Sequence, residues 1–125
     1  MPSAPKKILI VEDEAPIANV LKLKLEKEGY KIILAENGKK GLASALKDKP
    51  NLILLDIVMP VMDGLTMLEK LRADKIGKKI DVIVLTNLTH FNEDYKNNEY
   101  RVEDYLQKSK WKLSDLVLKI GSIIK

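Results

Sequence analysis

The stretch Asn51 to Gly64, NLILLDIVMPVMDG, decides how the rest of this chain is read. Asn51-Leu52-Ile53-Leu54-Leu55 is an apolar run of strand length, preceded by Lys49-Pro50 and followed by turn residues, so it predicts a strand buried on both faces. Asp56 stands at its carboxyl end. In open parallel sheets that end opens into a crevice where ligands and chemistry collect. A carboxylate there can be a nucleophile, a metal ligand or a helix cap, and the choice depends on what the other strand ends contribute.

On the amino-terminal side, Lys7 to Val11 (KILIV) is a second buried strand, and it runs into Glu12-Asp13-Glu14. Pro16 suits the first turn of a helix whose apolar positions Ile17, Val20, Leu21 and Leu25 recur at helical spacing until Gly29 ends it. Lys31 to Ala35 is the next strand in chain order, and Asn37-Gly38 turns into a helix carrying Leu42, Ala45 and Leu46, with Pro50 closing the connection. On the carboxyl side, a helix starting just beyond Gly64 carries Leu65, Leu68 and Leu71, and Gly77 breaks the chain. Ile80 to Leu85 is a strand ending at Thr86. Residues 87–101 are polar, with Leu88, Phe91, Tyr95 and Tyr100 to bury, and are assigned to a helix. Glu103 to Gln107 forms a short strand before Lys108, and Leu113, Leu116, Val117, Ile120 and Ile124 outline a last helix. Gly121 inside that helix weakens it by roughly 1 kcal/mol relative to alanine.

This alternation predicts an α/β fold with a doubly wound, five-stranded parallel sheet and five helices joined by right-handed crossovers. Strand order 2-1-3-4-5 is expected, because it sets the two acid-bearing strands side by side at the topological switch point.

A chain of 125 residues is the size of one domain. Its 22 basic and 18 acidic residues leave a net charge of +4, with the lysines scattered, so direct nucleic-acid binding is not expected. The absence of cysteine excludes disulfides and thiolate metal sites. No apolar run approaches the ~20 residues of a membrane span, and Met1-Pro2-Ser3-Ala4-Pro5 lacks a signal-peptide core, so a cytoplasmic protein without membrane association is expected.

Four of the five strands end in polar groups: Glu12-Asp13, Asp56, Thr86 and, just beyond the last, Lys108. In a parallel sheet these meet on one edge. Three carboxylates gathered there repel unless a hard divalent cation bridges them, and an oxygen-only set with open water positions suits Mg²⁺. A cation so placed also neutralises an incoming phosphoryl group, whose other oxygens are within the chemistry of a lysine and a threonine. Phosphoryl transfer onto a carboxylate is therefore a reasonable reaction class.

The segments ILIVEDE, LLDIVMPVMDG, VIVLTN and DYLQKS occur in an order and at separations that resemble the receiver domain of two-component response regulators, chemotaxis regulators among them, nearly from end to end. The resemblance implies a flavodoxin-like fold and a signalling switch in which Asp56 accepts a phosphoryl group from a histidine kinase or a histidine phosphotransfer protein. It implies that Glu12, Asp13, Asp56 and the backbone carbonyl of Val58 hold Mg²⁺, Glu12 through water, and that Thr86 and Lys108 grip the phosphoryl oxygens. Tyr105 matches the switch aromatic that reshapes the face of the fourth helix, fifth strand and fifth helix, which a downstream protein target reads. Such a domain assists its own phosphorylation and dephosphorylation without being an enzyme in the usual sense.

Departures from the family pattern lie mainly in the output half. Arg101-Val102 replaces a common Gly-Ala pair, Lys108-Ser109 a common Lys-Pro, and Asn87 a small residue after the switch threonine. Val58 and Leu88 are apolar at positions that influence loss of the phosphoryl group, which predicts slow self-dephosphorylation. The bland alternatives are a capping Asp56, an acidic helix entry at Glu12 to Glu14, and a packing Tyr105. His90 reads as a surface residue, and Trp111 as an anchor for the last helix. A binding module of the same fold that works without phosphorylation is the rival function. A flavin carrier is disfavoured because the first strand leads into acids, not a glycine-rich phosphate loop. Aspartate-nucleophile hydrolases usually carry a second acid where Val58 stands. The expectation is one receiver domain over residues 1–125 with no output domain, alone or within a longer regulator, as a monomer or a phosphorylation-dependent dimer.

Overall fold

Lys7–Val11 (β1) and Leu52–Leu55 (β3) lie side by side in the middle of a parallel sheet, and both are almost wholly buried. The computed structural model describes residues 5–57, 59, 61–86, 102–107 and 112–124, with backbone only for Thr86, Tyr105 and Gln107. Lys31–Ala35 (β2) pairs with the outer side of β1, Asp81–Thr86 (β4) with β3, and Asp104–Gln107 (β5) with β4, giving the order β2-β1-β3-β4-β5. All four pairings are parallel, the arrangement of a flavodoxin-like α/β fold.

Side chains alternate between the two faces of each strand, and both faces are covered. Leu9, Val11, Ile53, Leu55, Val82 and Val84 meet Ala45 of Gly38–Asp48 (α2) and Met67, Leu68 and Leu71 of Gly64–Ala73 (α3). On the other face, Ile8, Ile10, Leu52, Leu54 and Ile83 meet Leu21 and Leu25 of Ala15–Lys27 (α1) and Leu116 and Ile120 of the C-terminal helix (Leu113–Ile123). Two apolar layers explain why the central strands read as unbroken hydrophobic runs. Edge strand β2 is partly exposed at four of its five residues.

Helix ends follow local chemistry. The Gly29 N–H donates to the Glu26 carbonyl (3.0 Å) and the Tyr30 N–H to the Leu25 carbonyl (3.2 Å), a Schellman ending made possible by φ 95° at Gly29. The Asn37 side chain accepts from the Lys40 N–H (2.9 Å) at the start of α2, and Asp63 accepts from the Thr66 N–H (2.8 Å) at the start of α3. Lys49 ends α2 with φ 49°, a left-handed conformation that glycine or asparagine usually takes.

Several boundaries differ from the pattern-based ones. β3 begins at Leu52 and not at Asn51, because Asn51 brackets the start of β1: its N–H donates to the Lys7 carbonyl, and its Oδ1 accepts from the Lys7 N–H, both at 2.8 Å. β4 runs one residue later than the apolar run, from Asp81 to Thr86, and β5 starts at Asp104, one residue after Glu103. Gly77 opens a 3₁₀ turn, Gly77–Lys79, instead of simply breaking the chain. Arg72 braces that turn by donating through Nη1 to the carbonyls of Gly77 (2.8 Å) and Ile80 (2.7 Å). The helix expected over 87–101 lies outside the described residues, as do Ser109 and Trp111. Among the described residues, no helix is long and apolar enough to cross a membrane.

The C-terminal helix runs through Gly121, which is exposed, and a Cβ added there meets no heavy atom within 4 Å. Gly121→Ala should therefore raise stability by about 0.5–1 kcal/mol. A higher midpoint in urea unfolding is the expected reading, and a lowered midpoint would contradict this packing.

Candidate functional site

The candidate site begins where β1 and β3 stop. Val11 and Leu55 are the last paired residues of the two strands, and the hydrogen-bond ladder continues one residue further on each. The Asp56 N–H donates to the Val11 carbonyl and the Glu12 N–H to the Ala35 carbonyl, both at 3.0 Å. Glu12 and Asp56 therefore leave the sheet at the same level, and only 5% and 6% of their surfaces remain exposed. Asp13 follows on the exposed side. Carboxylate oxygens of Glu12, Asp13 and Asp56 lie within 4.8 Å of one another. The Glu14 N–H donates to Glu12 Oε1 at 3.3 Å, which helps fix the direction of that side chain.

Three carboxylates at this spacing form an all-oxygen donor set, which suits a hard divalent cation far better than a soft one. Such a cation also offsets the mutual repulsion of the three acids. The residues present thus fit Mg²⁺.

Residues 8–120 match the family of response regulator receiver domains. The chain belongs to that family. Phosphate regulon transcriptional regulatory protein PhoB of Pseudomonas aeruginosa is 32% identical over 120 residues, which cover 96% of this chain and 52% of PhoB. The Thermotoga maritima response regulator TrrA, solved in complex with Mg²⁺-BeF, superposes with a TM-score of 0.80 at 32% identity, covering 95% of this chain and 99% of TrrA. Chemotaxis protein CheY4 of Vibrio cholerae superposes with a TM-score of 0.86 at 25% identity, covering 97% and 100% of the two chains. The chain spans about half the length of the curated relatives it matches. A receiver domain is a phosphorylation-controlled signalling domain of two-component systems, not a classical enzyme.

The other residues singled out in the sequence are placed less completely. Thr86 is the last residue of β4 and pairs with Gln107, so its backbone stands at the same carboxyl edge as the acids. Tyr105 pairs with Val84 through its backbone. Val58, Asn87, Leu88, His90, Arg101 and Lys108 lie outside the described residues.

Pattern reading missed what holds the receiver's acidic loop. The Gly64 N–H donates to the Ile57 carbonyl at 2.9 Å, and a Cβ on Gly64 would stand 2.2 Å from the Asp56 carbonyl oxygen. Farther along, the Gly38 N–H donates to the Met62 carbonyl at 2.9 Å, tying the start of α2 to the loop after β3. Between these ties Val61 is left-handed, with φ 70°, and 78% exposed. A hydrogen bond from Lys40, together with its charge, holds the exposed Glu36 carboxyl below the usual range. A cavity of about 390 Å³ lies beside Glu12 and Asp13, with Asn19, Leu34 and the Lys40–Glu36 pair around it. The glycines beside an Asn cap and after Asp63 were visible in the sequence, but their partners are distant in the chain.

Replacing Gly64 by alanine forces a backbone shift at Asp56, since the obstructing atom is a carbonyl oxygen and not a flexible side chain. Gly64→Ala should cost roughly 1–3 kcal/mol of stability and weaken Mg²⁺ binding in a titration followed by NMR. Unchanged stability and unchanged Mg²⁺ affinity together would contradict this role.

Proposed function

We propose that Asp56 is the phosphoacceptor of this receiver and that Glu12, Asp13 and Asp56, with the backbone carbonyl of Val58, hold Mg²⁺. The observation that carries this reading is the approach of three carboxylates within 4.8 Å at the carboxyl edge of a receiver sheet. In the transfer, an Asp56 carboxylate oxygen attacks the phosphorus of a phosphohistidine. The P–N bond breaks, and its electron pair stays with the imidazole nitrogen. When bound, Mg²⁺ supplies positive charge against the phosphoryl oxygens. Thr86 and Lys108 contact the remaining oxygens, so the domain assists its own phosphorylation and dephosphorylation.

The phosphoryl donor in this reading is a sensor histidine kinase or a histidine phosphotransfer protein in the cytoplasm. Thr86 and Tyr105 relay the change to the face made by the helix expected over 87–101, β5 and the C-terminal helix. A downstream protein target reads that face, in a monomer or a phosphorylation-dependent dimer. Residues 1–125 act as one receiver domain with five helices, and direct contact of these residues with nucleic acid forms no part of the mechanism. PhoB and the other transcriptional relatives are about twice as long as the segment they share with this chain.

Incubation with Mg²⁺ and acetyl phosphate should add one phosphoryl group by intact mass, and Asp56→Asn should abolish it. An unmodified wild type, where a control receiver is labelled, would overturn the proposal; labelling that survives Asp56→Asn would move the acceptor elsewhere. A second expectation concerns lifetime. The apolar Val58 side chain cannot orient an attacking water, so Val58→Asn should shorten the life of the phosphorylated form, and equal lifetimes would remove Val58 from that role.

A further inference from the structure

The amino-terminal edge of the sheet, opposite Asp56, holds a cavity of about 750 Å³. It lies where β1, β3 and β4 begin, roughly 15 Å from the acids by the rise of a five-residue strand. Lys6, Lys49, Lys75 and Lys79 line it, against the single acid Asp81. Among the described residues, no ion pair engages any of those four ammonium groups. The floor is aliphatic, with Ile76, itself 40% exposed, and Ile124 at the end of the C-terminal helix.

Two further observations set this cavity apart from an ordinary solvated lysine face. The first is Lys49, left-handed with φ 49° at a helix end where glycine or asparagine avoids the steric cost. A strained residue whose side chain lines a cavity is a reason to look for function there. The second is the balance of charge in the lining, where four lysines face one acid. The neighbouring Asp74 is tied to backbone, its Oδ1 accepting from the Ile76 (2.8 Å) and Gly77 (3.2 Å) N–H groups. Helix carboxyl ends attract cations by their own dipole, which accounts for a lysine at that place but not for its left-handed backbone. Lys6 precedes β1 and has no helix end to serve.

We infer that this cavity binds a small organic polyanion, a molecule with two or more negative charges on a compact, partly apolar body. Its volume falls within the roughly 300–1,000 Å³ of small-molecule sites. Because the lysines ring a concavity instead of tracking an extended stripe, a compact anion fits better than a nucleic acid backbone. The apolar floor gives an organic body a surface to cover that inorganic phosphate lacks.

The test uses the whole chain and metal-free ATP as probe, followed by amide NMR. Shifts should concentrate at residues 49–51, 75–81 and 123–124 and spare 12–14 and 56. Lys49→Gly relieves the left-handed strain while removing one ammonium, so it should raise the urea midpoint yet weaken ATP binding. Lys49→Gly with Lys79→Ala should weaken it about tenfold or more, the scale of two partly exposed charge contacts. Replacing Lys22 and Lys27 on α1, an equal charge change elsewhere, should leave binding within about twofold, the effect expected from long-range charge alone at physiological salt. The inference is overturned if ATP shifts are absent or spread over all lysines. It is equally overturned if inorganic triphosphate binds as well as ATP, if duplex DNA binds more tightly through the same residues, or if both lysine pairs weaken binding alike.

Discussion

The parallel pairing of β1 with β3 is the constraint on which the candidate site depends. In a parallel pair both strands finish at the same edge, and the register Val11↔Leu55 makes them finish at the same level. Glu12 and Asp56 are the next residues on each strand, and backbone hydrogen bonds to Val11 and Ala35 still hold them. A slip of one residue would send every side chain of a strand to the opposite face, and both faces here are packed cores. Apolar packing thus sets the carboxylate geometry from a distance.

Close backbone approaches do the remaining work around the acids. Gly64 and Gly38 lie where any side chain would collide with carbonyl oxygens of the loop after β3. Their N–H groups donate to Ile57 and Met62 in that same loop. The loop is therefore tied at two points, one in α3 and one in α2, which come from different parts of the chain. Val61 adopts its left-handed conformation between those ties, an uncommon backbone for a β-branched residue.

The two ends of the sheet differ in role. Acids at the carboxyl edge follow β1 and β3, whose last residues are apolar, whereas at the other edge Lys6 and Asn51 precede β1 and β3, and Asp81 and Asp104 open β4 and β5. Asn51 stitches the starts of β1 and β3 together, and Arg72 braces the turn leading into β4. Each connects through backbone carbonyls or amides, so neither leaves a hydrophobic signature in the sequence.

Much of this receiver was legible in one dimension. Unbroken apolar runs at Ile8 to Val11 and Leu52 to Leu55 announce strands covered on both faces, and acids directly after them announce a polar sheet edge. Those properties depend on neighbours in sequence, which is why composition and spacing were enough. A parallel sheet already implied that Glu12, Asp13 and Asp56 meet at one edge, and the tertiary structure added their spacing within 4.8 Å. It alone decided that the Gly38 N–H reaches the Met62 carbonyl and that Lys6, Lys49, Lys75 and Lys79 line one cavity. Such meetings join residues tens of positions apart, and no local pattern encodes which of many compatible partners the folded backbone brings into contact.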